Sequence, residues 1–211
     1  MKRKIYRDYI KRFIDVGVSL VGLLITSPIL VITAIAIKMD SKGDVLFRQR
    51  RLGRYGNEFI IYKFRSMCMD AEKKGSGQYS FKGDPRVTRI GKLIRAASID
   101  ELPQFINIIK GDMSLIGFRP PLTYHPWPIE QYTEEQMKMF SVRPGVTGWA
   151  QVHGRKEVQW ADRIEMGIWY AEHVSFLLDL KILILTVIKV LTNANNENTV
   201  LTTGNGTIEK K

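Results

Sequence analysis

Two adjacent acids, Asp100 and Glu101, stand in the run Ser98-Ile99-Asp100-Glu101-Leu102-Pro103-Gln104, where a helix is predicted over residues 102–110. Ionised carboxylates at the positive end of a helix dipole can hold a divalent cation or attack an electrophile. Capping is the competing use. Ser98 and Glu101 have the S-x-x-E spacing of a capping box, but Pro103 would then fall at the fifth helical position and clash with the Ile99 carbonyl. With Asp100 as the N-cap, Pro103 takes the third helical position and denies Asp100 its usual N3 donor. Neither cap is fully satisfied, so capping and chemistry both stay open for the pair.

Upstream, Asp84-Pro85-Arg86-Val87-Thr88-Arg89-Ile90-Gly91-Lys92-Leu93-Ile94-Arg95 spaces Arg86, Arg89 and Lys92 three apart. A helix over residues 87–97 would carry these cations on one face and lead into the acids; a solvated basic face is the plainer reading. Arginine forks on anionic oxygens, with a metal bridging to carboxylates, form the usual apparatus of phosphoryl transfer. Gly117-Phe118-Arg119-Pro120-Pro121 holds another arginine in a stiff turn. Arg143-Pro144-Gly145-Val146-Thr147-Gly148-Trp149, followed by Gln151, Gly154 and Arg155, adds glycines, polar groups and two more arginines. Such loops suit a nucleotide diphosphate, although the same composition makes ordinary turns. His125, His153 and His173 share no spacing and read as structural. The single Cys68 excludes an internal disulfide and a Cys-based zinc site, which fits a reducing compartment.

The elements that would position these groups give an α+β, mainly helical domain with one short β-hairpin. Residues 45–49 and 58–64 are β-prone and flank Arg54-Tyr55-Gly56-Asn57. Residues 70–84 read as a mobile surface loop, and the four prolines in 117–128 exclude regular structure there. Gly111 suits the C′ position of the second central helix. Phe176, Leu177, Leu180, Leu183, Ile184, Val187, Ile188 and Leu191 form an apolar stripe that either packs on the domain, the favoured reading, or lies in a membrane interface. The expected partition is 1–40 for a membrane-associated N-terminus, 41–192 for a catalytic domain and 193–211 for a disordered tail.

Residues 16–37 run for 22 positions without a charge, long enough to span a bilayer, which takes roughly 20. The segment is too long, and begins too late, for a signal peptide, and it exceeds what a small domain usually encloses. Both flanks are basic: Lys2, Arg3, Lys4, Arg7, Lys11 and Arg12 precede it; Lys38, Lys42, Arg48, Arg50, Arg51 and Arg54 follow. Membrane segments keep Lys and Arg on the cytoplasmic side, so both ends want one side. Ser27-Pro28 near its middle could bend the helix back to the leaflet it entered, or merely kink a spanning helix. Of the net charge of +11, the whole surplus lies in residues 1–110, with 22 basic and 10 acidic groups. Nucleic acid would be the first partner suggested by charge alone, but the apolar segment and the lack of an aromatic-basic RNA motif count against it, and no nucleic acid is expected.

Together these motifs, with Lys11-Arg12-Phe13-Ile14-Asp15, Tyr62-Lys63-Phe64-Arg65-Ser66-Met67 and Lys110-Gly111-Asp112-Met113-Ser114-Leu115-Ile116-Gly117, closely resemble the small bacterial sugar transferases, the monotopic polyprenyl-phosphate phosphoglycosyl transferases, over nearly all of residues 5–192. One departure is Phe118, where the family usually has proline. The resemblance implies a helix-break-helix hairpin at Ser27-Pro28, re-entrant from the cytoplasmic face of the bacterial inner membrane. It implies transfer of a sugar 1-phosphate from a UDP-sugar to undecaprenyl phosphate, with release of UMP, Mg²⁺ as cofactor and an anionic phospholipid membrane as support. Asp100 would be the nucleophile and form a covalent aspartyl-phosphosugar. Glu101 would position the metal or deprotonate the lipid phosphate. Arg95 and Arg119 would hold phosphate oxygens, with Arg86 and Arg89 on the approach and Arg143, Gln151 and Arg155 toward the nucleotide-sugar. A non-catalytic monotopic protein that binds anionic lipid is the alternative.

Overall fold

The computed structural model describes residues 5–74, 77, 80–81, 83–154 and 159–192. Arg155 and the expected tail lie outside the described residues. The fold is mixed, mainly helical with two small sheets.

A π-helical turn, Tyr6–Ile10, runs into helix α1, Lys11–Asp40, which continues uninterrupted through Pro28 where a break is expected. Proline cannot donate to the carbonyl four residues back, which is that of Leu24. The neighbouring Ser27 hydroxyl supplies the missing donor, 2.8 Å from the Leu24 oxygen, and Thr26 Oγ1 bonds the Gly22 carbonyl at 2.7 Å. Helix continuity is thereby kept at the cost of one side-chain rotor.

Only 11% of the most apolar stretch of this helix is buried, so it is not a core helix. Its contacts with the rest of the chain come at both ends. Lys11, Asp15 and Ser19 are buried near the start, Thr33 and Ile37 near the finish. Gly22 lies against the Phe105 ring, and Leu30 packs on the cluster of Ile37, Phe64 and Ile94. Leu24, Ile25, Val31 and Ile32 face outward.

Strands β1, Leu46–Leu52, and β2, Glu58–Phe64, form the expected antiparallel hairpin, with Leu46 opposite Phe64 and Leu52 opposite Glu58. Helix α2, Arg89–Ala96, starts at Thr88, whose side chain accepts from the Gly91 N–H. Gly91 has to be glycine because a Cβ there would collide with the Ser66 carbonyl. Helix α3, Gln104–Lys110, ends at Gly111 with φ 97°, the left-handed C′ position expected for it. Strand β3, Ser114–Ile116, pairs in parallel with β4, Gly145–Thr147, which follows a short helix α4, Glu134–Met137. No helix or strand occupies 117–128.

Helices α5, Trp149–His153, α6, Trp160–His173, and α7, Phe176–Leu191, complete the chain. They share a core built from Leu52, Ile116, Phe118, Phe140, Ile164, Tyr170 and Ile182. Phe118, the departure from the family pattern, is 3% exposed and meets Phe140 edge-on at 5.2 Å, so packing anchors the turn that proline would have stiffened.

Two expectations are corrected here. The apolar stripe of α7 does not pack on the domain: Leu177, Ile184, Val187, Ile188 and Leu191 are exposed, while Asp179 and Ile182 face inward. Asp179 turns inward because Lys11, Tyr6 and Tyr170 meet it there. Several flanking cations also turn inward instead of facing a lipid surface. Lys11 is in that buried pair, and Arg12 bonds the last carbonyls of α3, Ile108 and Ile109, where a cation meets the negative helix end. Arg54 bonds the Ser141 carbonyl, and Arg51 bonds that of Pro120.

Candidate active site

The acidic pair lies on a single 3₁₀ turn, Ile99–Glu101, wedged between α2 and α3. Ser98 reverses the chain in the left-handed region, φ 57° and ψ 19°, a conformation that costs a serine about 1–2 kcal/mol. Ile99 then packs against the cluster of Ile37, Phe64 and Ile94, which anchors the turn that carries the next two residues. Neither expected cap forms: the Ser98 side chain caps nothing, and Pro103 occupies the N-cap position of α3, where its missing donor is harmless. The half-buried acids are therefore not used up by helix capping.

Asn107, fully buried on α3, sets the register between the acids and the hairpin. Its side chain accepts from the Tyr62 N–H at 2.9 Å and donates to the Ile60 carbonyl at 2.7 Å. One residue further along β2, Lys63 Nζ reaches Glu101 Oε1 at 2.6 Å. Arg95, in the last turn of α2, donates to Ser80 Oγ at 3.1 Å, while its Nη1 is buried without a hydrogen-bond partner among the described residues. Burial and the neighbouring Glu101 charge push the Asp100 carboxyl up to about 6; Lys63 and Arg95 pull it partly back. At neutral pH Asp100 is an ionised carboxylate with less than its full share of solvation, which favours nucleophilic attack.

The other expected residues fall into three groups. Arg119 is half-buried on the 117–128 segment and acts electrostatically on Arg51 and Arg163. Arg89 is exposed on the first turn of α2. Arg86 and Arg143 serve the scaffold. Arg86 forks onto Asp84, 2.9 and 2.7 Å, and donates from Nη1 to the carbonyls of Ala71, Lys74 and Gly77. That gathers the described part of the expected mobile loop around one buried guanidinium. Arg143 donates to the Gly111 carbonyl at 2.9 Å, beside Arg12 and Arg54 and at the other end of α3 from the acids. Gln151 has both amide atoms buried without a partner among the described residues. Arg155 is not described.

Lys63 is the residue in contact with the acidic pair that the sequence does not single out, and Arg51 and Arg163 are two further cations that it leaves without a role. Lys63 was visible within the motif Tyr62-Lys63-Phe64-Arg65, but no helical spacing linked it to Glu101. Arg51 looked like a membrane flank, and Arg163 had no motif around it.

Asp100 and Glu101 are the residues that would hold Mg²⁺. That ion usually keeps several waters and takes one or two carboxylates plus substrate phosphates, which the two acids of this turn could supply. Among the described residues no group of three or more His, Cys, Asp or Glu gathers, so no all-protein cage competes with the acidic turn.

Comparison with known proteins places the chain among sugar transferases. A curated sugar transferase of Bacillus subtilis, EpsL, itself uncharacterised, is 41% identical over 190 residues, covering 90% of this chain and 91% of its own. The UDP-N-acetylgalactosamine-undecaprenyl-phosphate N-acetylgalactosaminephosphotransferase of Aeromonas hydrophila is 43% identical over 192 residues, 87% of this chain and 44% of its own. The UDP-glucose:undecaprenyl-phosphate glucose-1-phosphate transferase of Escherichia coli is 40% identical over 189 residues, 87% of this chain and 40% of its own. The chain thus spans less than half the length of those two enzymes. The sequence model of one family matches residues 6–193, containing every element described above, and the chain belongs to that family, the bacterial sugar transferases.

Proposed function

We propose that this protein transfers a sugar 1-phosphate from a UDP-sugar to a polyprenyl phosphate, undecaprenyl phosphate in bacteria, at the cytoplasmic face of the inner membrane. The observation that carries the chemistry is the uncapped acidic turn, with Asp100 poised between Lys63 and Arg95 beside Glu101. The Asp100 carboxylate attacks the sugar-bearing phosphorus; the bond to the bridging oxygen breaks and UMP leaves. A phosphate oxygen of the lipid then attacks the aspartyl-phosphosugar, freeing Asp100 and forming the polyprenyl-diphosphate sugar. Lys63 holds Glu101 in place, and Arg95 offers to a phosphate oxygen its Nη1, which has no hydrogen-bond partner among the described residues. Mg²⁺, held by Asp100 or Glu101, would screen the charge of the diphosphate.

The two-ended seating of α1 supports a monotopic arrangement. Between its contacts at Gly22 and Leu30 lie eight steps of helix, roughly 12 Å at 1.5 Å each, against about 30 Å of hydrocarbon to cross. A segment gripped this closely by one domain leaves no free length for a crossing. Exposed apolar residues on α1 and α7 would rest in the near leaflet.

The test is UMP release from a panel of UDP-sugars, including acetamido and deoxy sugars, with undecaprenyl phosphate and Mg²⁺. Asp100→Asn and Asp100→Ala should abolish release while membrane binding persists. Full activity in both variants would overturn Asp100 as the nucleophile, and no release by wild type from the whole panel would favour the rival lipid-binding protein. Topology is tested separately by Lys4→Cys and Lys42→Cys in a Cys68→Ser background; labelling of the two from opposite sides would exclude the re-entrant placement.

A further inference from the structure

The wall opposite the acids carries more positive charge than the reading above uses. Arg51 leaves the end of β1 and donates from Nη1 to the Pro120 carbonyl at 3.0 Å, next to Arg119; Leu52 N–H bonds the Pro121 carbonyl at 3.0 Å, fixing strand and turn together. From that turn the chain doubles back, with Leu122 bridged to both Arg51 and His125. The His125 ring meets Trp160 edge-on at 5.5 Å, and the guanidinium of Arg163 lies over the same Trp160 ring at 5.1 Å. This continuous set of contacts gathers Arg51, Arg119, His125 and Arg163 from β1, the 117–128 segment and α6.

Neither Arg51 nor Arg119 forms an ion pair with a described residue, and Arg51 Nε is buried without a hydrogen-bond partner among them. Burial together with the charge of Arg119 depresses Arg51 and Arg163 to about 10 each. Arg51 and Arg119 are therefore like charges with no ion pair among the described residues, and an anion between them is what would compensate that repulsion. Phe47 lies opposite Lys63 in the hairpin and Arg51 is four residues on from Phe47, so Arg51 is on the same sheet face as Lys63, the residue that bonds Glu101.

From these contacts we propose that Arg51 and Arg163 complete, with Arg119, a phosphate-binding wall facing the acidic turn. Its ligand is a phosphate monoester or diphosphate oxygen, from the nucleotide or from the lipid phosphate. The proposal rests on the transferase reading for the identity of those two ligands, but not for the binding itself.

The test therefore measures binding without turnover. Purified full-length protein in nanodiscs is titrated with UMP and with inorganic pyrophosphate by calorimetry, and separately with polyprenyl phosphate incorporated in the discs. Arg163→Gln and Arg51→Lys are compared with wild type and with Arg48→Gln on the exposed strand. At least tenfold weaker binding in both site variants, with Arg48→Gln unchanged, is expected, and the ligand that weakens identifies the source. Arg51→Lys keeps the charge but loses the fork; if it melts early, partly exposed Arg163 decides. Binding of all ligands within twofold of wild type in Arg163→Gln, or no binding of any by wild type, overturns the proposal. Failure of UMP release with intact phosphate binding would instead count against the transferase chemistry alone.

Discussion

Lys11 and Asp179 are 168 residues apart in sequence, yet their side chains meet at 2.9 Å in the interior. Tyr6 and Tyr170 donate to the two oxygens of Asp179 at 2.8 and 2.7 Å, and Asp15, 3.8 Å from Lys11, accepts from Ser114 Oγ and the Leu115 N–H. The network joins the start of α1 to α7 and β3. Removing one member leaves the others desolvated and unpaired, so Asp179→Ala should cost about 3–5 kcal/mol. Lys11→Met with Asp179→Leu should cost less than the sum of the single changes, with a coupling above roughly 1 kcal/mol. Thermal unfolding in nanodiscs measures both; strict additivity would show that the pair is independent.

Asp100→Asn is expected to stabilise the protein while abolishing activity. A carboxyl whose native value is raised binds protons more readily folded than unfolded, so its contribution to stability falls as pH rises from about 4 to about 6. Above that range the ionised group is a net cost, and the amide should recover roughly 1–2 kcal/mol in metal-free buffer. Differential scanning calorimetry at pH 7 and at pH 4 checks the sign, since the gain should vanish at the lower pH.

Lys63 lowers Asp100 toward ionisation, so Lys63→Met should move the acid limb of the pH–rate profile upward from about 6. Wild-type kcat/KM should fall below pH 6 as the nucleophile protonates. An unshifted limb in Lys63→Met would mean that another group controls it.

Ser98→Gly relieves a left-handed backbone without removing a cap, because the Ser98 side chain makes none. A gain of about 1 kcal/mol is expected, reduced by the greater freedom of glycine in the unfolded chain. A loss in chemical denaturation would show that the strain is not where the backbone places it.

Asp84 is held at about 2 by its hydrogen bonds from Arg86. A depressed carboxyl contributes stability that is complete above its unfolded value and disappears as pH falls from about 4 to 2. The 71–77 segment should become susceptible to an acid-active protease in that window, and Arg86→Leu should show the same cleavage at neutral pH.

Much of this architecture is legible in the residues. The hairpin, Gly111 at φ 97° and the long apolar helix follow from local rules of turn chemistry and hydrophobic run length. What local rules miss is the inward use of charge. Arg12, Arg51 and Arg54 have the composition of a membrane flank, but each finds a carbonyl on a segment distant in sequence. The amphipathic stripe of α7 misleads for a related reason: the inward face carries Asp179, neutralised from α1, together with Leu178, Ile182 and Leu185, and leaves the eight-residue stripe exposed. At the site, Asp100 and Glu101 are visible as a pair, whereas Lys63 depends on Asn107 fixing a strand register that no spacing rule contains.

The two-ended seating of α1 also changes how the protein would find its second substrate. A domain fixed against one leaflet keeps its acidic turn at a constant height and searches for a lipid phosphate by lateral diffusion in two dimensions. Turnover should then follow the mole fraction of polyprenyl phosphate within the bilayer and be indifferent to its bulk concentration. Diluting the vesicles leaves the rate per enzyme unchanged; diluting the lipid within them lowers it.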